Sequence, residues 1–180
     1  DYPLNPPSLA LGAQATFVAR TIDRWQKHMA AMLERSYNHD GGSFIEIYQN
    51  CNIFNDGAFE EYTGAEKFSN VIELKHGEPM VFAQGTKGIK LDGFKPKVVD
   101  MEKNSIDDIL IHNETDLDLA HIIANWTSHP TLPEPIGVIY CIDKTTYNQD
   151  IVNQIESAIE AKGPGNVQDL LNSGDTWVVD

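Results

Sequence analysis

Cysteine is scarce in this 180-residue chain, which has only Cys51 and Cys141. Two thiols cannot build a disulfide framework, and they suggest a reducing, cytoplasmic setting. Positive charge is scarce as well. Thirteen Lys and Arg face 27 Asp and Glu, for a formal net charge of −14. That balance argues against a nucleic-acid backbone or an anionic membrane as the main partner, because both require basic surface. No apolar run approaches the ~20 residues of a membrane-spanning helix, and nothing resembles a signal peptide. Without such a signal, the sequons at Asn113 and Asn125 carry no weight. There is no Walker pattern and no Gly-x-Gly-x-x-Gly, and Gly163-Pro164-Gly165 ends a helix instead of opening one. The six histidines form no i, i+4 pair and no His-x-His, which argues against a mononuclear zinc site built by this chain alone. The opening Asp1-Tyr2-Pro3-Leu4-Asn5-Pro6-Pro7 reads as the interior of a longer polypeptide.

The remaining composition is ordinary for a globular domain, with 41% hydrophobic and 22% charged residues. The most informative stretch is Gly42 to Gly57. Phe44, Ile45, Ile47 and Tyr48 predict a short buried strand, and Asn50, Asn52, Asn55, Asp56 and Gly57 predict a tight-turning loop. Cys51 therefore falls where a strand runs out at a sheet edge, the position where ligands gather in α/β sheets.

Upstream, residues 1–12 read as a proline-constrained extended connector, and residues 16–20 as a strand. Asp23 is a plausible cap for a helix carrying Trp25, Met29, Met32, Leu33 and Ser36 on one face, through about Tyr37. Strand, helix and the strand to Tyr48 form a unit suited to parallel pairing. Downstream, residues 59–68 read as a short acidic helix. Residues 71–76 and 80–83 are apolar runs split by His76-Gly77-Glu78-Pro79, the composition of a hairpin turn. Residues 86–93 and 95–99 continue a small antiparallel, basic patch. A helix with Leu117, Leu119, Ile122, Ile123 and Trp126 on a stripe is capped by Thr115 or Asp116. Pro130, Pro133 and Pro135 read as an extended connector, residues 136–142 as a buried strand, and residues 148–161 as a polar helix. A short helix and an apolar Trp177-Val178-Val179 close the chain. The first 56 residues resemble half of an α/β sheet, and residues 57–180 an appended α+β region.

Among candidate reactive groups, Cys141 lies in an apolar strand and reads as a buried inert thiol. His76 is the best candidate for a working histidine, although a polar turn residue explains it as well. Cys51 has three readings on composition alone: a free loop thiol, a metal thiolate, or a nucleophile. For the last, no neighbouring residue supplies a base.

A resemblance bears on that choice. Residues 1–12, Thr16-Phe17-Val18-Ala19-Arg20, the stretch Gly42 to Phe59 with its Cys51 to Gly57 block (Cys-x-Ile-Phe-Asn-Asp-Gly), His76-Gly77-Glu78-Pro79 and the ending Gly174 to Asp180 are similar to the later half of a β subunit. The family is the thiamin-diphosphate-dependent 2-oxoacid:ferredoxin oxidoreductases, and the likeness is to the 2-oxoglutarate type. It implies part of a doubly wound α/β thiamin-diphosphate-binding fold with a C-terminal α+β extension. It also implies that Cys51 is the fourth thiolate of a 4Fe–4S cluster, with no catalytic residue in this chain. The other cluster cysteines, the thiamin diphosphate and Mg2+ motif and the main substrate contacts would precede residue 1. Asn52 stands where relatives often carry proline. The implied reaction is oxidative decarboxylation of 2-oxoglutarate, with the acyl group passing to coenzyme A and single electrons passing through the cluster to ferredoxin, beside an α subunit. Pyruvate or a branched-chain 2-oxoacid is the alternative substrate, and a non-catalytic acidic interaction domain the alternative role. Loop amides from Asn52 to Asp56 would tune the cluster. Lys75, Lys87, Lys90, Lys95 and Lys97 would offer ferredoxin a docking face, with a solvated hairpin surface as the other reading.

Overall fold

The computed structural model describes residues 3–126 and 129–179, so Asp1, Tyr2 and Asp180 of the resembling termini and Thr127 of the second sequon lie outside the described residues. The contacts divide the chain into residues 1–144 and 145–180.

In the first unit the order is α1 (Pro6–Gly12), β1 (Phe17–Ile22), α2 (Gln26–Tyr37), β2 (Ser43–Tyr48), α3 (Glu60–Thr63), α4 (Lys67–Asn70), β3 (Val71–Leu74), β4 (Val81–Phe82), β5 (Lys87–Asp92), β6 (Lys95–Asp100), α5 (Leu117–Asn125) and β7 (Glu134–Cys141). Two sheets result, one ordered β2–β1–β7–β3 and one ordered β4–β5–β6. The expected unit of β1, α2 and β2 is present, with β1 and β2 parallel from Phe17↔Ser43 to Ile22↔Tyr48. β7 runs antiparallel to β1, while β3 runs parallel to β7. The architecture is a mixed α/β fold. The boundary expected at residue 56 runs through this sheet, because β7 lies between β1 and β3.

Sequence patterns are overridden in several places. Residues 6–12 are helical and not extended: Pro6 and Pro7 occupy the first turn, where their missing N–H groups cost nothing, and Asn5 Oδ1 accepts from Ser8 N at 3.1 Å. Asn5 Nδ2 also donates to Ala124 O at 2.8 Å, tying α1 to the end of α5. Asp23 does not cap α2. Its Oδ1 accepts from Arg24 N at 2.6 Å, and the helix starts at Gln26 with no side-chain cap. From α2 only Met32 is buried, packed with Phe17, Ala19 and Val138, while Leu33 is exposed.

The hairpin expected between residues 71–76 and 80–83 does not form. β3 pairs with β7, and β4 pairs with β5 in the other sheet. A turn composition fixes a reversal without fixing the partner. Here β7, buried over Glu134–Tyr140, offers β3 a buried edge, and Gly77 N and Met80 N donate to His112 O and Leu110 O, both at 2.8 Å. β5 and β6 are antiparallel as expected. Pro135, expected in a connector, is inside β7 opposite Ile72. Gly137 has φ +113°, and a Cβ there would lie 2.8 Å from Leu74 O, so its missing side chain is what lets β3 approach β7.

The main core lies between the larger sheet and α1 and α5, with Val18, Ile72, Leu74, Leu119, Ile123 and Ile139 buried in it. Asp116 caps α5 by accepting from Leu119 N at 3.0 Å. In the second unit, α6 (Tyr147–Lys162) starts in a capping box formed by Thr146 and Gln149, and α7 (Val167–Leu171) is capped by Asn166.

Candidate functional site

β1 and β2 are parallel, so their carboxyl ends meet at one edge of the sheet, and the loops leaving them form the site. After Tyr48 the chain folds back on itself. Asn50 Nδ2 donates to Asp56 Oδ1 at 3.0 Å, and Gly57 N donates to Asn50 Oδ1 at 2.9 Å. Gly57 closes this clasp at φ +84°, a conformation open to glycine. Within it, Asn55 N donates to Cys51 O at 2.9 Å. Asn50, Asn55, Asp56 and Gly57 thus form the tight loop that their composition predicts.

Cys51 is half-buried and carries no disulfide. The backbone N–H groups of Phe54, then Ile53 and to a smaller extent Asn55, point toward its sulfur and hold the thiol below its ordinary value. Several amide hydrogens around one sulfur stabilise the thiolate over the thiol, and the thiolate is the form that binds metal. No base stands beside it among its hydrogen-bond partners, so the nucleophile reading gains nothing. Cys51 fits one corner of a metal or cluster site. Among the described residues, no group of three or more His, Cys, Asp and Glu could hold a metal ion.

Beneath the loop is a network that sequence reading missed. Arg20 is fully buried, its Nε donating to Glu46 Oε2 at 2.6 Å and its Nη1 to Glu134 Oε1 at 2.5 Å. Tyr48 Oη donates to the same Glu134 oxygen at 3.0 Å, and the guanidinium lies 5.1 Å from the Tyr48 ring centroid. Burial, offset in part by Arg20, raises the Tyr48 phenol well above its ordinary value. Phe59 stacks on Tyr48 at 4.3 Å between centroids. One ion network therefore joins β1, β2 and the start of β7 directly below the residues that launch the Cys51 loop. The signal in the sequence was a charged arginine inside the mostly apolar run Phe17–Ile22. A hollow of about 270 Å³ opens beside the loop, walled by Asp23, Arg24, Asn50, Asp56, Gly57 and Phe59.

The other candidates lie elsewhere. Cys141 is not buried as expected: it ends β7 half-exposed, its Sγ 3.9 Å from His39 Nδ1, and burial with the Glu114 charge pushes its thiol up. His76 accepts a hydrogen bond from Glu114 N at 3.2 Å, a loop-pinning role. In the lysine cluster, Lys97 is paired with Asp92, Lys90 with Asp108 at 3.5 Å, and Lys87 lies over the Phe82 ring at 6.0 Å. Part of that charge is already neutralised, and Lys87, Lys90, Lys95 and Lys97 are all in the smaller sheet.

No family model matches the sequence. The chain is 36% identical over its whole length to 2-oxoglutarate oxidoreductase subunit KorB of Mycobacterium tuberculosis and spans 50% of that relative. A 53-residue stretch, 29% of the chain, is 38% identical to the β subunit of 2-oxoacid:ferredoxin oxidoreductase 1 from Aeropyrum pernix, covering 17% of that protein. A 59-residue stretch, 33% of the chain, is 34% identical to the corresponding Saccharolobus solfataricus β subunit, covering 19% of it. Among solved structures, 2-oxoglutarate:ferredoxin oxidoreductase from Magnetococcus marinus, with 2-oxoglutarate, coenzyme A and succinyl-CoA bound, superposes with a TM-score of 0.63 at 16% identity, over 98% of this chain and 46% of that one. The chain spans about half the length of the curated relative it matches throughout, and its sequence likeness is to subunits of 2-oxoglutarate and 2-oxoacid:ferredoxin oxidoreductases.

Proposed function

We propose that this chain is part of the β subunit of a 2-oxoglutarate:ferredoxin oxidoreductase and that Cys51 supplies one thiolate of a 4Fe–4S cluster. One observation carries the reading: a half-exposed sulfur at the carboxyl end of a parallel strand, with following backbone amides directed at it. Such a cluster takes four thiolates and supplies one-electron transfer. The remaining three come from polypeptide other than the described residues. Thiamin diphosphate and Mg2+ are assigned to the part of the relatives' length that this chain does not span, within a doubly wound fold that the β1–α2–β2 unit extends. An α subunit, coenzyme A, 2-oxoglutarate and ferredoxin complete the assembly, in the reducing cytoplasm that two free cysteines suit.

This chain's own residues act on the thiolate. The Phe54 and Ile53 amides stabilise its negative charge, and hydrogen bonds of this kind raise the potential of an iron–sulfur centre. The Asn50–Asp56–Gly57 clasp fixes the loop, and the Arg20 network anchors the strands beneath it. None of these groups makes or breaks a substrate bond.

The test is iron, acid-labile sulfide and visible absorbance of the full complex carrying Cys51→Ala or Cys141→Ala. Cys51→Ala is expected to lose the cluster or leave it incomplete, with Cys141→Ala unchanged. A Cys51→Ala complex with wild-type iron, sulfide and colour would refute the assignment. Turnover of the wild type with 2-oxoglutarate, pyruvate and branched-chain 2-oxoacids tests the substrate separately.

A further inference from the structure

The charge distribution around the Cys51 loop carries an inference beyond that reading, although it rests on it. In a chain with net charge −14, two open grooves among the described residues are lined by more cations than carboxylates: one by Lys95 and Lys97 at the smaller sheet, and one at the start of α2 that reaches the Cys51 loop through Arg24. The second groove measures about 620 Å³ and is lined by Arg24, Trp25, Lys27, His28 and Lys67, with Glu73 as the one carboxylate on its wall. Among the described residues Arg24, Lys27 and Lys67 form no ion pair, and neither do Lys75, Lys87 and Lys95, whereas Lys90 and Lys97 of the smaller sheet are paired. Lys67 is held in place without being neutralised: its Nζ sits 5.1 Å from the Trp25 ring centroid and 5.0 Å from that of Phe68. His28 adds no charge at neutral pH, because burial lowers it and its Nδ1 bonds to Thr21 Oγ1 at 2.8 Å.

Arg24 connects this groove to the site. It lines both the groove and the hollow walled by Asn50, Asp56 and Gly57 of the Cys51 clasp. On the same loop, Ile53 and Phe54 are 80% and 91% exposed, large apolar side chains adjoining the sulfur in sequence. Exposed apolar residues flanked by unpaired cations make a protein-docking surface, the apolar part supplying contact and the cations steering and register. An electron acceptor also has to come close to the centre it oxidises.

We propose that the Arg24–Lys27–Lys67 groove, together with Ile53 and Phe54, is the docking surface for the acidic, electron-accepting iron–sulfur protein, in place of the Lys75–Lys97 strands. The cations pull in and orient an anionic partner, and the apolar loop residues contact it over the cluster edge.

The test uses the holoenzyme and an acidic bacterial-type ferredoxin. In Lys27→Glu/Lys67→Glu, the apparent KM for ferredoxin at low ionic strength is expected to rise by about tenfold, with the gap closing as salt is added. Lys90→Glu is expected to leave it unchanged. Carbodiimide cross-linking of wild-type enzyme to ferredoxin is expected to join acceptor carboxylates to Lys27 or Lys67, a readout that does not depend on any variant folding. Cross-links confined to Lys75, Lys87, Lys90, Lys95 or Lys97, or an unaltered KM and salt dependence in the double variant, would overturn the docking proposal. Either result with wild-type cluster absorbance intact leaves the Cys51 assignment standing. A wild-type enzyme without cluster absorbance would instead bring down both.

Discussion

Removing the Arg20 guanidinium should be among the most damaging single changes in the larger sheet. Its side chain is fully buried, between Glu134, whose side chain is 2% exposed, and Glu46, at 16%. Arg20→Met keeps most of the volume and deletes the cation, leaving two carboxylates at the sheet without their shared counter-charge. Breaking a buried ion network from one side costs ~3–5 kcal/mol. At roughly 2–4 °C per kcal/mol for a chain of this size, the melting temperature should fall by roughly 6–20 °C. Arg20→Lys keeps the charge but cannot reach both acids with one planar fork, so it should lose a charge-assisted hydrogen bond, about 1.5–3 kcal/mol. Urea denaturation followed by circular dichroism at neutral pH measures each value. Combining Arg20→Met with Glu134→Gln and Glu46→Gln should recover part of the loss, because the stranded charges go with the cation. An Arg20→Met cost below about 1 kcal/mol, or a triple variant no better than the single, would refute the network argument. Because Tyr48 and Glu134 hang from the same guanidinium, Arg20→Met should also weaken retention by the full complex of the cluster proposed at Cys51.

The remaining predictions concern the thiols, one histidine and one glycine. In cluster-free protein, Cys51, held below the ordinary thiol value by backbone amides, should alkylate faster at neutral pH than Cys141, whose thiol burial pushes up; iodoacetamide labelling read by peptide mass spectrometry checks the order, and equal rates would contradict it. His112 is buried, its Nε2 bonds to Val138 O at 2.8 Å, and its Nδ1 has no hydrogen-bond partner among the described residues, so burial lowers its pKa. Below about pH 6.5 the unfolded chain takes up the proton first. Stability should therefore be full above that pH and fall as pH drops toward the folded value. Urea midpoints at neutral and mildly acid pH test this, and a pH-independent midpoint would count against it. Gly137→Ala combines φ +113° with a 2.8 Å approach to Leu74 O, and should cost about 1–3 kcal/mol in the same denaturation assay.

Local chemistry was legible in the sequence. Alternating bulk followed by Asn, Asp and Gly marked β2 and its loop, and Asp116 announced α5 because a cap acts within one turn, while the Thr146 cap of α6 went unread. The Cys51 position at a strand's end was set by the same short-range pattern, as was the parallel β1–α2–β2 unit. Only the tertiary structure decided which strands became neighbours. β3 joined β7 across some 60 residues instead of its adjacent β4, because the competition was settled by apolar area buried in a shared sheet, a quantity that no turn composition encodes. For the same reason the boundary read at residue 56 cuts through one core. Lys27 and Lys67 likewise become a surface only once folding brings α2 and α4 to the same groove. Unpaired charge depends on distance in three dimensions, whereas the lysines clustered in sequence were partly neutralised by Asp92 and Asp108.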